Sequence, residues 1–242
     1  MLDALHGAGL SIALCSGRNT ESLHGLAAER PEIGFLGAGS GSLVQERDGD
    51  GWRTIGRRFL EPSTLTWILD QAGAVGMEMW AYTDSQWLVQ TVNERVTEES
   101  HYVGATATVE PFEGREDIVK LLAFPLCKAH RATLEIIDAQ RDLAVVQSYP
   151  GYFDIVRVEA AATKGGDVLI ERLGLDWSNV IAMGDGENDL GMLSKAGVAM
   201  AMAPLRTTLL DPSEPGQQRF DCPDLDAVLH LLAALDTTPE AL

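Results

Sequence analysis

The segment around residue 185 constrains the fold of this chain more than any other. Residues 180–183 (VIAM) form a short apolar run, residues 184–189 (GDGEND) form a turn-rich loop, and residues 189–196 are predicted to be helical. A short apolar run that ends in turn residues is typical of a buried strand in a parallel sheet. The order of strand, loop and helix predicts an open α/β sheet, in which ligands bind beyond the carboxyl ends of the strands.

Three side chains in the loop at residues 184–189 are candidate oxygen ligands for a cation. Asp185 is predicted to stand at the carboxyl end of the strand, and Asn188 and Asp189 follow at the start of the helix. Mg²⁺ commonly takes one or two carboxylates together with water and substrate phosphate. We therefore expect Asp185 and Asp189 to hold Mg²⁺, although the same pattern would also suit a turn that caps a helix.

A second candidate is Lys164 in residues 163–166 (TKGG), at the start of a helix predicted over residues 163–173. A lysine beside a helix N-terminus opposes the helix dipole, and the combination of the two forms a site for an anion. One helix, one turn and one strand separate Lys164 from Asp185, so the two residues are expected to meet at the same edge of the sheet. Taken alone, Lys164 would also fit an ordinary surface lysine.

A third candidate follows the apolar run at residues 11–15 (SIALC), which predicts another strand. Ser16 offers a hydroxyl group and Gly17 leaves backbone N–H groups accessible, and both features suit a phosphoryl oxygen. Arg18 either binds phosphate as well or caps a turn at the surface.

The middle of the chain has a different pattern from its two ends. Short strands alternate with helices in residues 1–59 and again in residues 159–242, whereas residues 60–158 combine helices with several strands. This order predicts an α/β fold with a doubly wound parallel sheet, formed by residues 1–59 and 159–242, and an inserted α+β domain at 60–158. The length of 242 residues is sufficient for both.

Composition restricts the partners of the protein. The formal net charge of −18 repels phosphate backbones and anionic lipids, so nucleic acids and membranes are poor candidates. The three cysteines are far apart and show no metal-binding spacing, which favours the reducing cytoplasm. No apolar run is long enough for a membrane-spanning helix. A small anionic substrate would need a local positive site of the kind that Mg²⁺ and Lys164 provide.

The three segments, in this order and with the insertion between the first and the second, resemble motifs II, III and IV of haloacid dehalogenase (HAD) superfamily phosphatases. The insertion resembles the cap of the Cof type, capped class IIB. The resemblance implies catalytic roles for Ser16, which would hydrogen-bond the phosphoryl group, and for Lys164, which would stabilise negative charge. It also implies that Asn188 orients the phosphate, that Asp185 binds Mg²⁺ and that Asp189 supports the metal through water. The full phosphate site is then Ser16, Gly17, Arg18, Lys164 and Asn188, in which Gly17 and Arg18 rest on the residue chemistry given above.

The chain departs from this family in its first motif, an apolar strand that ends in Asp-x-Asp-Gly-Thr and supplies the nucleophile. The one Asp-x-Asp-Gly sequence here, at residues 48–51 (DGDG), follows polar residues and is predicted to be a hairpin turn. Since only a short segment precedes Ser16, we expect that the start codon has been placed too late or that the chain is truncated. A non-catalytic remnant of the family is the alternative.

Two further departures concern asparagines that the family places near the substrate phosphate. Residues 39–42 (GSGS) stand where an Asn-Gly-Ala element is usual, and residues 199–203 (AMAMA) stand where Ala-Met-Gly-Asn-Ala is usual. The glycines at 37–41 do not favour a dinucleotide site, because strand-like residues follow them instead of a helix.

The resemblance implies a Mg²⁺-dependent phosphomonoester hydrolase of small phosphorylated metabolites such as sugar phosphates. The reaction would pass through an aspartyl-phosphate in the full-length form, and the chain as printed would be inactive. The alternative is a non-catalytic binding or scaffold protein. We expect a monomer or a homodimer.

Overall fold

The computed structural model describes residues 2–210 and 217–235. The chain forms two compact units, which divide between residues 165 and 166.

The beginning of the first unit contains a four-stranded sheet. Its elements are α1 (Leu2–Gly7), β1 (Ile12–Cys15), α2 (Thr20–Ala27), β2 (Ile33–Ala38), β3 (Leu43–Asp48) and β4 (Gly51–Arg57). The strands follow the order β1-β2-β3-β4, in which β1 and β2 are parallel and the other neighbours are antiparallel. Leu23 and Ala27 lie four residues apart on one face of α2, and they pack against the buried side chains of β2.

The hairpin predicted at residues 48–51 is confirmed. Asp48 pairs with Gly51 at the end of the β3–β4 ladder, and Gly49 between them has a φ of 59°. A tight turn of this kind needs a residue that adopts positive φ without strain. The Asp-x-Asp-Gly sequence therefore belongs to an antiparallel hairpin and does not follow a buried parallel strand.

The rest of the first unit contains a six-stranded mixed sheet in the order β7-β6-β5-β8-β10-β9. Its strands are β5 (Met79–Tyr82), β6 (Trp87–Val89), β7 (Thr108–Val109), β8 (Lys120–Ala123), β9 (Leu143–Tyr149) and β10 (Tyr152–Arg157). The helices of this part are α3 (Pro62–Ala74), α4 (Glu94–Val103), α5 (Lys128–Asp138) and α6 (Val158–Ala161).

The two faces of this sheet are both covered, because side chains alternate along each strand. Leu121 and Ala123 of β8 point to a core shared with α3 and α5. Leu122 points to the opposite face, where an aromatic cluster that includes Trp80 and Trp87 packs with α4. Lys120 is two residues from Leu122 and therefore lies on the aromatic face.

The second unit contains a three-stranded parallel sheet in the order β11-β12-β13. Its elements are α7 (Gly166–Leu173), β11 (Ile181–Gly184), α8 (Leu190–Lys195), β12 (Val198–Met202), β13 (Gln218–Cys222) and α9 (Leu225–Leu235). The predicted order of strand, loop and helix around residue 185 is confirmed, with a 3₁₀ turn over Glu187–Asp189 before α8.

Some elements differ from the sequence-based predictions. The helix predicted over residues 163–173 begins only at Gly166, because Lys164 and Gly165 have φ values of 51° and 85°, which a right-handed helix does not allow. Helix α4 was not predicted, although Asn93 caps it by accepting a hydrogen bond of 3.0 Å from the Val96 N–H. Among the described residues, no helix is long and apolar enough to cross a membrane.

Candidate functional site

The first part of the candidate site is the loop that follows β1. The Ser16 N–H donates to the Gly37 carbonyl oxygen over 2.8 Å, so the loop begins by continuing the parallel ladder. The Arg18 N–H lies 3.3 Å from Ser16 Oγ, and the Arg18 carbonyl accepts a hydrogen bond of 2.8 Å from the Gly39 N–H. The backbone thus holds the Ser16 hydroxyl at the carboxyl end of a strand, as the sequence predicted.

The Arg18 side chain takes no part in this backbone arrangement. It is exposed, and its Nη1 atom lies 3.3 Å from the Ser22 hydroxyl on the first turn of α2. The guanidinium therefore stands at the surface beside the loop, where it could turn towards an anion or remain on α2.

A turn at Gly39–Gly41 packs against the segment that carries Lys164. Ser40 has a φ of 55°, and its N–H donates to the Ser16 carbonyl oxygen over 3.0 Å. Gly41 has a φ of 89°, and a Cβ atom at this position would lie 2.5 Å from the Gly165 nitrogen. Only glycine permits this approach, so the turn brings the backbone of Lys164 next to the loop of Ser16.

Lys164 itself is buried, with an exposed fraction of 4%, and it lies in the non-helical connection between α6 and α7. A Cβ atom at Gly37 would lie 2.4 Å from the Lys164 carbonyl oxygen. Two glycines, at positions 37 and 41, therefore allow the Lys164 backbone to sit against β2 and the adjoining turn. A surface lysine, the alternative interpretation of the sequence, does not agree with this burial.

The second part of the candidate site is the loop that follows β11. Asp189 Oδ2 accepts hydrogen bonds of 3.0 Å from the N–H groups of both Asp185 and Gly186. Asp189 is buried, whereas Asp185 is exposed directly after the strand. Asn188 is half-buried beside Gly186. The Asp189 carboxylate thus shapes the loop, and the loop presents the Asp185 carboxylate at its surface.

The residues of this loop suit Mg²⁺ with a sparse protein shell. Within residues 2–210 and 217–235, no group of three or more His, Cys, Asp or Glu side chains could hold a metal ion. A site with one or two carboxylates is nevertheless sufficient for Mg²⁺, which retains water and binds substrate phosphate. Asp189 Oδ2 already accepts hydrogen bonds from two N–H groups. Asp185 is therefore the carboxylate that would contact the ion directly, and Asp189 would hold the Asp185 backbone in place.

The predicted residues therefore form two groups. Ser16, Gly17 and the Lys164 backbone meet around the turn at Gly39–Gly41 in the first unit. Asp185, Asn188 and Asp189 meet in the loop after β11 in the second unit. The meeting of Lys164 with Asp185, which their spacing favours, stays a prediction.

The structure adds two charged residues that the sequence analysis did not select, Lys120 and Asp154. Their side chains form a buried ion pair of 3.1 Å, and Lys120 Nζ also donates to the Gly17 carbonyl oxygen over 2.7 Å. A signal for them was present in the sequence, because apolar residues flank each charge on both sides, at residues 119 and 121 and at residues 153 and 155. Charged residues are almost never fully buried unless they are paired, so two such interruptions indicate a pair.

The electrostatics of this pair extend to Tyr82 on the neighbouring strand. Lys120 Nζ lies 4.6 Å from the centroid of the Tyr82 ring, a cation–π distance. Burial, together with the negative charge of Asp154, raises the pKa of the Tyr82 hydroxyl well above its usual value. Tyr82 therefore stays neutral and acts as a packing surface for the lysine.

Comparison with known proteins identifies the family to which this chain belongs. The haloacid dehalogenase-like hydrolase family matches residues 1–210, and the chain belongs to this family. The resemblance inferred from the three motifs is thereby confirmed, and so is the α/β fold class.

Two curated relatives from Bacillus subtilis (strain 168) carry the names of phosphatases. The putative phosphatase YxeH is 26% identical over 219 residues, which cover 83% of this chain and 78% of the relative. The 5-amino-6-(5-phospho-D-ribitylamino)uracil phosphatase YwtE is 23% identical over 224 residues, which cover 81% of this chain and 76% of the relative. The chain is thus similar to HAD-type phosphatases over most of its length.

Solved structures of the same fold cover nearly the whole chain. The HAD subclass IIB sugar phosphatase BT4131 superposes with a TM-score of 0.76 and 17% identity, covering 96% of this chain and 88% of that one. A haloacid dehalogenase-like hydrolase from B. subtilis superposes with a TM-score of 0.78 and 17% identity, covering 97% of this chain and 90% of that one. At this level of identity the likeness concerns the fold.

Proposed function

We propose that this protein is a Mg²⁺-dependent phosphomonoester hydrolase of small phosphorylated metabolites such as sugar phosphates. The observation that carries the proposal is the loop after β11, in which Asp189 binds the backbone of Asp185 and leaves the Asp185 carboxylate exposed at the end of a parallel strand. Such a position is where open α/β sheets bind their ligands.

The other site residues would bind and orient the phosphoryl group. Ser16 would donate its hydroxyl hydrogen to a phosphoryl oxygen, Asn188 would orient the group, and Lys164 would offset its developing negative charge. Mg²⁺ held by Asp185 would neutralise further charge. Phosphoryl transfer depends mainly on positioning and on electrostatic stabilisation, and these residues supply both.

The substrate class is supported by the relatives and by the charge of the chain. The similar proteins include a sugar phosphatase and a 5-amino-6-(5-phospho-D-ribitylamino)uracil phosphatase. The net charge of −18 disfavours large polyanions, so a small anion that enters a local positive site is the better substrate. We propose that residues 60–158 act as a cap that closes over this site and selects the substrate.

The nucleophile is the part of the mechanism that the printed sequence does not carry. Its one Asp-x-Asp-Gly sequence forms the β3–β4 hairpin, and the two carboxylates there are exposed. We propose that the aspartyl-phosphate forms in a version of the protein that carries an apolar strand ending in Asp-x-Asp-Gly-Thr. The chain as printed would bind phosphate without turning it over.

The experiment compares the printed chain with one extended at its N-terminus by an apolar strand that ends in Asp-x-Asp-Gly-Thr. We expect the extended chain to hydrolyse p-nitrophenyl phosphate only with Mg²⁺, and Asp185→Ala to abolish this activity. Glu187→Ala, which changes an exposed carboxylate in the same loop, is the matched control and should retain activity. Activity that survives Asp185→Ala would refute the role of Asp185.

A non-catalytic binding or scaffold protein is the second candidate, because the Asp-x-Asp-Gly sequence lies in a hairpin. In that case phosphate or Mg²⁺ would raise the melting temperature, and no version of the protein would show turnover. Turnover by the extended chain would exclude this candidate.

A further inference from the structure

A buried ion pair joins the six-stranded sheet to the loop after β1. The side chains of Lys120 and Asp154 are 5% and 0% exposed, respectively, and their charged atoms are 3.1 Å apart. Removing two charges from water is costly unless both are paired and also satisfied by further hydrogen bonds. The further partners of this pair therefore show what it is positioned to hold.

Of the two further partners, Gly17 belongs to the candidate phosphate site, and Ser40 lies in the turn that binds the Ser16 carbonyl. Lys120 Nζ donates to the Gly17 carbonyl oxygen over 2.7 Å, and Asp154 Oδ2 accepts a hydrogen bond of 2.7 Å from Ser40 Oγ. Ser40 has a positive φ, which is strained for a residue with a side chain, and its N–H donates to the Ser16 carbonyl oxygen. The ion pair thus supports the backbone that follows Ser16, at the Gly17 carbonyl through Lys120 and at the Ser16 carbonyl through Ser40.

The approach of Asp154 also explains the glycine at position 17. A Cβ atom on Gly17 would lie 2.8 Å from Asp154 Oδ2 and 3.3 Å from Ser40 Oγ. A side chain there would push the carboxylate away from Ser40. Gly17 is therefore needed for the close packing of the ion pair as well as for access to its backbone.

The peptide bond between Gly17 and Arg18 couples the Lys120 side chain to the Ser16 hydroxyl. In a trans peptide the carbonyl and the N–H point in opposite directions. When Lys120 binds the Gly17 carbonyl, the Arg18 N–H is directed away from Lys120, and it lies 3.3 Å from Ser16 Oγ. An N–H that donates to this oxygen leaves the Ser16 hydroxyl hydrogen for another acceptor, and hydrogen bonds in such a chain strengthen one another.

We propose that Lys120 and Asp154 are positioning residues that direct the Ser16 hydroxyl towards the phosphoryl group. This inference deepens the proposed function and rests on it, because it takes Ser16 as a phosphate ligand. Lys120 acts through the Gly17–Arg18 peptide bond and does not itself touch the substrate. The ion pair therefore links the six-stranded sheet to the binding of phosphate.

The test needs a variant that removes the donor without leaving a buried charge. Lys120→Met alone leaves the Asp154 carboxylate buried without its ion-pair partner, so this variant is expected to fold poorly. The double variant Lys120→Met with Asp154→Asn is neutral and similar in shape, and its amide oxygen can still accept the Ser40 hydrogen bond. Asp84→Asn is the control, because the Asp84 side chain forms another ion pair, 3.0 Å from Arg57. Its contact with the start of α2, a hydrogen bond from Thr20 Oγ1, is accepted by the Asp84 backbone carbonyl, which the substitution keeps.

The first readout is the peptide bond itself. Carbonyl-¹³C glycine and ¹⁵N arginine together label the Gly-Arg bonds of the chain, at Gly17–Arg18, Gly56–Arg57 and Gly114–Arg115. We expect the double variant to shift the Gly17–Arg18 signal and to leave the Gly114–Arg115 signal in place. Asp84→Asn should leave the Gly17–Arg18 signal unchanged. An unshifted Gly17–Arg18 signal in the folded double variant would overturn the positioning role.

The second readout is a titration of the same samples with inorganic phosphate. We expect the double variant to bind phosphate at least about tenfold more weakly than wild type, which corresponds to ~1.4 kcal/mol, and Ser16→Ala to weaken binding at least as much. If the double variant binds like wild type while Ser16→Ala loses binding, the positioning role fails and the proposed function stands. If wild type shows no saturable binding, or if Ser16→Ala binds like wild type, the proposed phosphate site fails and the positioning role fails with it.

Discussion

Asp189 and Asp185 are joined by a hydrogen bond of 3.0 Å from the Asp185 N–H to the Asp189 Oδ2 atom. The Gly186 N–H donates to the same oxygen over the same distance. A Cβ atom at Gly184 would lie 2.4 Å from Asp189 Cβ, so the strand end and the carboxylate pack in direct contact. One side chain therefore closes the loop that presents the other.

The first prediction concerns this closure. Asp189→Ala removes the charged acceptor of two part-buried N–H groups and is expected to lower the free energy of unfolding by about 1–3 kcal/mol. It should also weaken Mg²⁺ binding, because Asp185 would lose its fixed position. Urea denaturation and a Mg²⁺ titration measure the two effects. Glu187→Ala is the control, and equal stability of Asp189→Ala and wild type would contradict the closure.

The second prediction concerns the contact between Gly41 and the Lys164 segment. Gly41→Ala places a methyl group 2.5 Å from the Gly165 nitrogen at a φ of 89°, so strain and overlap act together. We expect a loss of stability of more than ~2 kcal/mol, since overpacking and a positive φ each cost about 1 kcal/mol or more.

Gly49→Ala is the matched control for this substitution. Gly49 also has a positive φ, 59°, but a Cβ atom there meets no other atom within 4 Å. Its cost should therefore be limited to the backbone strain, about 1–2 kcal/mol. Urea denaturation of both variants separates the cost of steric overlap from the cost of backbone strain. Equal denaturation midpoints would contradict the packing of Gly41 against Gly165.

The third prediction concerns the Asp-x-Asp-Gly sequence at the β3–β4 hairpin. Asp50 is exposed at the turn, so Asp50→Asn should change the free energy of unfolding by less than about 0.5 kcal/mol. It should also leave phosphate binding, and the turnover of the extended chain, at the wild-type level. A large loss of turnover on Asp50→Asn would show that this hairpin supplies the nucleophile after all.

The fourth prediction concerns the pH dependence of stability at Tyr152. Burial, followed by the hydrogen bond to Glu99, raises the pKa of the Tyr152 hydroxyl to about 12 from an ordinary value near 10. Because the folded state holds this proton more tightly than the unfolded state, the stabilisation is complete below about pH 10 and is lost as the pH rises towards about 12. Absorbance titration and denaturation over this range measure it.

Two variants isolate the cause of this shift. Glu99→Gln removes the charge beside Tyr152 Oη, 2.9 Å away, and should bring the pKa of Tyr152 closer to its ordinary value. Tyr152→Phe should remove the part of the alkaline loss of stability that Tyr152 causes. Tyr82 would still contribute to this loss, because its pKa is also raised. An absorbance titration that Tyr152→Phe does not change above pH 11 would contradict the raised pKa of Tyr152.

Local patterns were sufficient to find the elements that present the candidate site. The strand before Ser16, the strand before Asp185 and the hairpin at residues 48–51 all lie where the sequence predicts them. These elements could be predicted because each combines an apolar run with a turn chemistry that acts over a few residues. Helix α4 was missed because its mean hydropathy is low, although Asn93 and Gly104 mark its two ends.

The backbone conformation of Lys164 could not be predicted from local sequence patterns. A helix was predicted from residue 163, although Gly165 and Gly166 are poor helix formers. The structure instead places Lys164 and Gly165 at positive φ, where the backbone fits against Gly37 and Gly41. Packing against residues far away in the chain overrides local preference at this point.

By itself, the sequence determined the α/β class, the family resemblance and the loops that carry Ser16 and Asp185, because these depend on neighbouring residues. Only the tertiary structure decided that Lys120 and Asp154 hold the Gly17 carbonyl and the Ser40 hydroxyl. These contacts join residues 103 and 114 positions apart. No local pattern encodes a partner at that distance, and a charge inside an apolar strand shows only that a partner must exist, because an unpaired buried charge is too costly.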